Sequence, residues 1–233
     1  VLENAEQDGR VRFARGDQPS HQANRPRHPS VTLFFLVFRC RQYKAHWLNT
    51  VMTAHDLVDA LIAIAGPAAV STDQALKDLV AGDLYATGAH PFVVVRPTSP
   101  EAVAACVAAC VANGFAVYPR GGGLSYTGGY VPQTERRVTF ALRGLNGIVG
   151  YSEEDLTIRV QSGVTWKQIH EVLSPKGLRL PFFGTFSGLE ATVGGGLSHG
   201  ALFFGSARYG SAAEMVLGLE VALADGTRLS TGQ

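Results

Sequence analysis

The sequence predicts an α+β fold. Short β-branched runs alternate with capped helical stretches from about residue 52 onward, and glycine, proline or Asn-Gly steps punctuate them. Of the 233 residues, 46% are hydrophobic and 17% charged, enough apolar material for a sizeable core. The 27 glycines are clustered rather than scattered, and the first of the two main clusters follows directly on a predicted strand.

Residues 1–51 differ in composition from the rest. They carry eight Lys/Arg against four Asp/Glu, and the first 30 lack hydrophobic periodicity. Such a segment buries too little apolar surface to offset chain entropy, so it is expected to be a disordered extension or mistranslated upstream sequence, with Met52 the natural start. Its apolar run from Val31 to Phe38 falls far short of the ~20 residues of a spanning helix. It also lacks a signal-peptide cleavage site, so the expected compartment is cytoplasmic.

The elements then follow in order. Residues 52–90 read as a helical lead-in, with Thr53 as cap and Leu57, Leu61 and Ile64 at helical spacing. Phe92–Arg96 is a strand stopped by Pro97. Ser99-Pro100-Glu101 combines a cap, a first-turn proline and an acid at the positive end of the dipole, and so starts a helix to about Ala112. Asn113-Gly114 stops it. Phe115–Tyr118 is a short strand running into glycines. Val138–Leu142, Ile148–Tyr151 and Leu156–Gln161 read as strands, and Thr165–Leu173 as a helix closed by Gly177. Met215–Ala224 and Thr227–Thr231 form a hairpin about Asp225-Gly226. Trp166, Phe182 and Phe183 read as core.

Several function classes are excluded or disfavoured. A net charge of +1 gives no electrostatic case for nucleic acid. Three cysteines do not make a disulfide framework, and Cys106 and Cys110, four apart in an Ala/Val-rich helix, read as small buried apolar residues. His170-Glu171 has no second ligand pair at metal spacing, so no metal site is expected.

The first glycine cluster runs from Pro119 to Gly129, with Arg120, Gly121, Gly122, Gly123, Leu124, Ser125 and Tyr126 at its centre. A strand entering consecutive glycines lets backbone N–H groups converge on an anion with no side chain in the way. A Walker A loop would need a lysine, and none occurs between Lys77 and Lys167; a Rossmann fingerprint from Gly121 would need glycine where Tyr126 stands. The second cluster, Ala191 to Gly200, offers Gly194, Gly195 and Gly196 with the hydroxyls of Thr192 and Ser198. Two such clusters about 70 residues apart fit a long ligand with two phosphates.

At these residues the sequence resembles the PCMH-type FAD-binding domain of the vanillyl-alcohol oxidase family, over residues 91–233. The resemblance lies in the ordered series Val93-Val-Val-Arg-Pro97, Pro119–Gly129, Asp155–Gly163, Lys176–Pro181, Ala191–Gly200, Ala207–Gly210 and Leu223–Gly226. It implies two α/β lobes with FAD between them. Gly121–Ser125 would take the diphosphate, with Arg120, Tyr126 and Gly129 beside it. Thr192, Gly194, Gly195, Ser198 and His199 would contribute from the second lobe, and Val221 would approach the adenine or ribose. Leu124 stands where many relatives carry the histidine bonded to the flavin, so FAD is expected to bind non-covalently there.

The resemblance further implies a flavin-dependent oxidoreductase. It would oxidise an alcohol, sugar or 2-hydroxy acid such as D-lactate or glycolate by hydride transfer to FAD, then pass electrons to an acceptor. A non-catalytic FAD-binding module, or a truncated inactive product, is the alternative. In the family a C-terminal domain supplies most catalytic groups and would follow Gln233, so a partner chain or missing domain is expected and no catalytic base is named.

Overall fold

The computed structural model describes residues 30–36, 54–131, 134–181 and 186–232. In chain order the elements are β1 (Ser30–Leu36), α1 (Ala54–Ala65), β2 (Val70–Ser71), α2 (Gln74–Val80), β3 (Val93–Val95), α3 (Pro100–Ala112), β4 (Ala116–Arg120) and β5 (Arg137–Ala141). There follow β6 (Ile148–Ser152), β7 (Thr157–Val160), α4 (Trp166–Leu173), α5 (Val193–Ser198), α6 (Ser206–Tyr209), β8 (Val216–Ala222) and β9 (Arg228–Thr231). The predicted α+β class, with two lobes, is what the chain adopts.

The first lobe is a four-stranded sheet in the order β2-β3-β5-β4, parallel except for the β2–β3 pair. Val93, Val94 and Val95 are all fully buried, as expected of a parallel strand covered on both faces. On one face Val93, Val95, Val138 and Phe140 pack against Leu57 and Leu61 of α1 and Val103 and Val107 of α3. The start of α3 is the one its sequence announces: Ser99 Oγ accepts from the Ala102 N–H at 3.1 Å, with Pro100 in the first turn. The residues read as a lead-in are thus part of this lobe. They supply α1, β2 and α2, the last capped by Asp73, whose carboxylate accepts from the Leu76 N–H at 2.9 Å.

The second lobe is a five-stranded sheet in the order β6-β7-β1-β8-β9. Its outer pairs are antiparallel, whereas β1 lies parallel to both β7 and β8. Ser30–Leu36 falls inside the segment read as an unstructured extension, yet it forms the middle strand. Its β-branched and aromatic composition gives it strand character whatever the polarity of its flanks. Residues 1–29 and 37–53, including Met52, lie outside the described residues, as do Phe182 and Phe183.

A capping box starts α4: Thr165 Oγ1 accepts from the Gln168 N–H, and Gln168 Oε1 accepts from the Thr165 N–H at 2.8 Å. The helix packs Ile169 and Leu173 onto Ile158 and Val160, joined by Trp166, Val164 and Val193.

Side chains join the lobes as well as the chain crossing between them. The β8–β9 hairpin reaches beneath α3: Ala222 belongs to the first lobe's core, and Arg228 pairs with Glu101 of α3. Arg143, after β5, donates to the Glu190 carbonyl at 2.9 Å and pairs with its carboxylate at 2.6 Å.

Candidate functional site

β4 ends at Arg120 and enters Gly121, Gly122 and Gly123 where the first lobe meets residues 190–192 of the second. These glycines are required by contact. A Cβ on Gly121 would overlap Thr192 Oγ1, and one on Gly122 would overlap the Glu190 carbonyl. At Gly123 the requirement is conformational, with φ at +75°. Among the described residues, no acceptor takes the N–H of Gly122, Gly123 or Leu124. Three consecutive open donors on partly exposed backbone can receive an anion.

Much of the rest of this loop is engaged with the protein. Arg120 donates to the carbonyls of Gly82 at 3.3 Å and Leu79 at 3.4 Å, and its guanidinium lies 5.0 Å from the Tyr130 ring centroid. It therefore anchors the root of the loop. Ser125 Oγ accepts from the Thr127 N–H at 3.2 Å, and the Ser125 carbonyl accepts from the Leu84 N–H at 3.0 Å. The Asp83 carboxylate accepts from Tyr85 and Ala86 and, across the loop, from the Gly128 N–H at 2.7 Å. Desolvation pushes the Asp83 carboxyl up. The N–H donors of Ala86, Tyr85 and Gly128, with the charge of Arg120, outweigh it and hold the group below its ordinary value. Tyr126 projects outward, 73% exposed.

The second cluster is built differently. Thr192 caps α5, its Oγ1 accepting from the Gly195 N–H at 3.2 Å. The remaining first-turn donors are taken as well: Val193 by the Val164 carbonyl at 2.8 Å, Gly194 by Ser162 at 2.9 Å and Gly196 by Thr192 at 2.9 Å. Ser198 Oγ donates to the Gly194 carbonyl at 2.8 Å. Gly196 is glycine because a Cβ would stand 2.9 Å from the Trp166 ring. The expectation of a second run of open main chain is therefore corrected. Gly194 and Gly195 already donate to protein acceptors, so the open N–H groups are those of the first cluster.

The sequence-predicted residues fall into three groups. Gly121, Gly122, Gly123 and Leu124 stand together with Thr192 at the lobe junction. His199, exposed, lies beside the far end of the first loop; a Cβ on Gly129 would be 3.7 Å from its Cε1. Val221 is set apart, 4% exposed on β8 and paired to Phe35 and Leu229 on either side. Asp83 and Glu190 were not singled out from sequence. The Asx-turn chemistry of Asp83 was a local signal; its tie to Gly128, 45 residues away, was not.

Burial pushes the thiols of Cys106 and Cys110 up to about 11 and about 12, which makes them inert core residues. Among the described residues no group of three His, Cys, Asp or Glu could hold a metal ion, and no helix is long and apolar enough to cross a membrane.

Comparison with known proteins agrees with this architecture. The chain is 33% identical over 176 residues to a probable mitochondrial D-lactate dehydrogenase of Danio rerio, covering 75% of this chain and 35% of that protein. It is 28% identical over 184 residues to the glycolate oxidase subunit GlcD of Bacillus subtilis, covering 78% and 38%. The chain thus spans little more than a third of the length of these relatives. Among solved structures it superposes on an alkyldihydroxyacetonephosphate synthase with a TM-score of 0.70 at 19% identity, covering 76% of this chain and 35% of that one. On p-cresol methylhydroxylase the TM-score is 0.60 at 22% identity, with 76% and 35% covered. Residues 91–232 match a sequence family described as FAD binding domain. That match spans more than half of the chain, which therefore belongs to the FAD binding domain family.

Proposed function

We propose that this chain is the cofactor-holding part of a flavoenzyme that oxidises a small alcohol, sugar or 2-hydroxy acid, with D-lactate and glycolate as first candidates. The observation that carries it is the set of open N–H groups at Gly122, Gly123 and Leu124, placed where the two lobes meet. Those amides bind the FAD diphosphate, and Thr192, packed against Gly121, sets the approach of the second lobe. His199 lies beside Gly129 at the far end of the same loop. When bound, the flavin supplies the redox chemistry, taking a hydride from a carbon that bears a hydroxyl. Leu124 offers no nucleophile to the flavin, so the cofactor is held there non-covalently. The relatives' greater length supports substrate and catalytic groups from outside this chain, in a further domain or a partner.

Titration of the purified chain with FAD tests this, read by quenching of flavin fluorescence. Saturable binding, with release of all flavin on denaturation, is expected. Absence of binding sinks the cofactor assignment, and yellow colour that stays with the denatured chain sinks non-covalent attachment. Bleaching of the bound flavin by D-lactate or glycolate, with the rest of the protein present, tests the substrate class.

A further inference from the structure

The glycine loop owes its shape to a segment that lies outside the residues matching the FAD family. Residues 79–86 touch it at three points. Arg120, at the root, donates to the Leu79 and Gly82 carbonyls. In the middle, Leu84 donates its N–H to the Ser125 carbonyl. At the far end, the Gly128 N–H donates to Asp83 Oδ2 at 2.7 Å, the shortest of these ties. The other oxygen of the same carboxylate closes an Asx turn, accepting at 2.8 Å from both Tyr85 and Ala86. One side chain thus fixes its own turn and the far end of the loop at once.

A glycine-rich loop loses more backbone entropy on ordering than other chain. If the loop were free, ligand binding would bear that cost; if it is already held, affinity rises accordingly. We propose that Asp83 is a positioning residue: its carboxylate holds the Gly121–Gly128 loop in the shape that receives the FAD diphosphate, so that flavin affinity, more than the fold, depends on it. The inference rests on this loop being the diphosphate cradle. It adds a residue that touches neither flavin nor substrate.

Asparagine is the informative replacement. Its single oxygen can keep the Asx turn with Tyr85 and Ala86, but its amide group then faces the Gly128 N–H with donors where an acceptor is needed. Asp83→Asn should therefore cut the tie to the loop and leave the turn intact.

The test compares wild-type chain with Asp83→Asn and Asp83→Ala by FAD titration, by melting temperature without flavin, and by hydrogen exchange at the Gly128 amide. In Asp83→Asn a rise in FAD Kd of about tenfold is expected, the scale of one charge-assisted hydrogen bond. Faster exchange at Gly128 and a nearly unchanged melting temperature should accompany it. Asp83→Ala should weaken binding at least as much. A Kd within twofold of wild type in both variants overturns the proposal. So does an affinity loss that merely follows a general fall in melting temperature and protection, because Asp83 would then act through stability. Wild-type chain that binds no FAD would instead overturn the cofactor assignment, and Gly128 exchange would still show whether Asp83 clamps the loop.

Discussion

The pentapeptide Gly-Gly-Gly-Leu-Ser occurs twice, at residues 121–125 and 194–198, and the two copies fold differently. The first is an irregular loop leaving a strand, with three N–H groups open. The second is most of α5, and its first-turn donors all find protein acceptors. Their neighbours decide the difference. Upstream of the second copy stands Thr192, a cap whose hydroxyl and carbonyl start the helix. Upstream of the first stands Arg120, still paired in the sheet and pinned to the Leu79 and Gly82 carbonyls. A run of glycines specifies little by itself; it permits whatever the residues around it impose.

Three substitutions break or sharpen that contrast. Gly122→Ala should have the largest effect, because its Cβ meets a backbone carbonyl that has no rotamer to change. A loss of about 2–3 kcal/mol in urea unfolding is expected, together with loss of FAD binding. Thr192→Ala removes the cap of the second copy and the hydroxyl packed on Gly121; about 1 kcal/mol of stability should go, with a smaller loss of flavin affinity. Gly195→Ala should do least. Its Cβ would sit 3.2 Å from Thr192 Oγ1, a tight contact offset by alanine's better helix propensity, for a net change under about 1 kcal/mol. Should Gly195→Ala abolish flavin binding as completely as Gly122→Ala, the two copies would be functional equals and the contrast drawn here would fail.

Local signals placed most of the elements. Ser99-Pro100-Glu101 marked the start of α3 and Thr165 that of α4, because a cap is written within four residues of the helix it begins. The valine run at β3 and the Asp225-Gly226 hairpin are equally local. What escaped depends on distance along the chain. α5 escaped because three consecutive glycines read as open loop, whereas the Thr192 cap makes them a helical turn. β1 escaped because its polar flanks coloured the whole segment, and its partners lie more than a hundred residues downstream. The glycine clusters were found, but their division of labour was not. That Gly121 and Gly122 serve interlobe contact, and that Arg120 turns toward Leu79 and Gly82, are facts of tertiary proximity.

The β8–β9 hairpin also bears on how the molecule comes apart. Its strands belong to one sheet, yet Ala222 sits in the other lobe's core, the Gly226 turn lies against Ala104 and Ala108, and Arg228 holds Glu101. Together with the Arg143–Glu190 pair and the packing of Thr192 against Gly121, the hairpin fastens the two sheets to each other through contacts far apart in the sequence. Denaturant should therefore melt the two halves in a single cooperative step, and a nucleotide seated between them would come and go through local breathing of its loop.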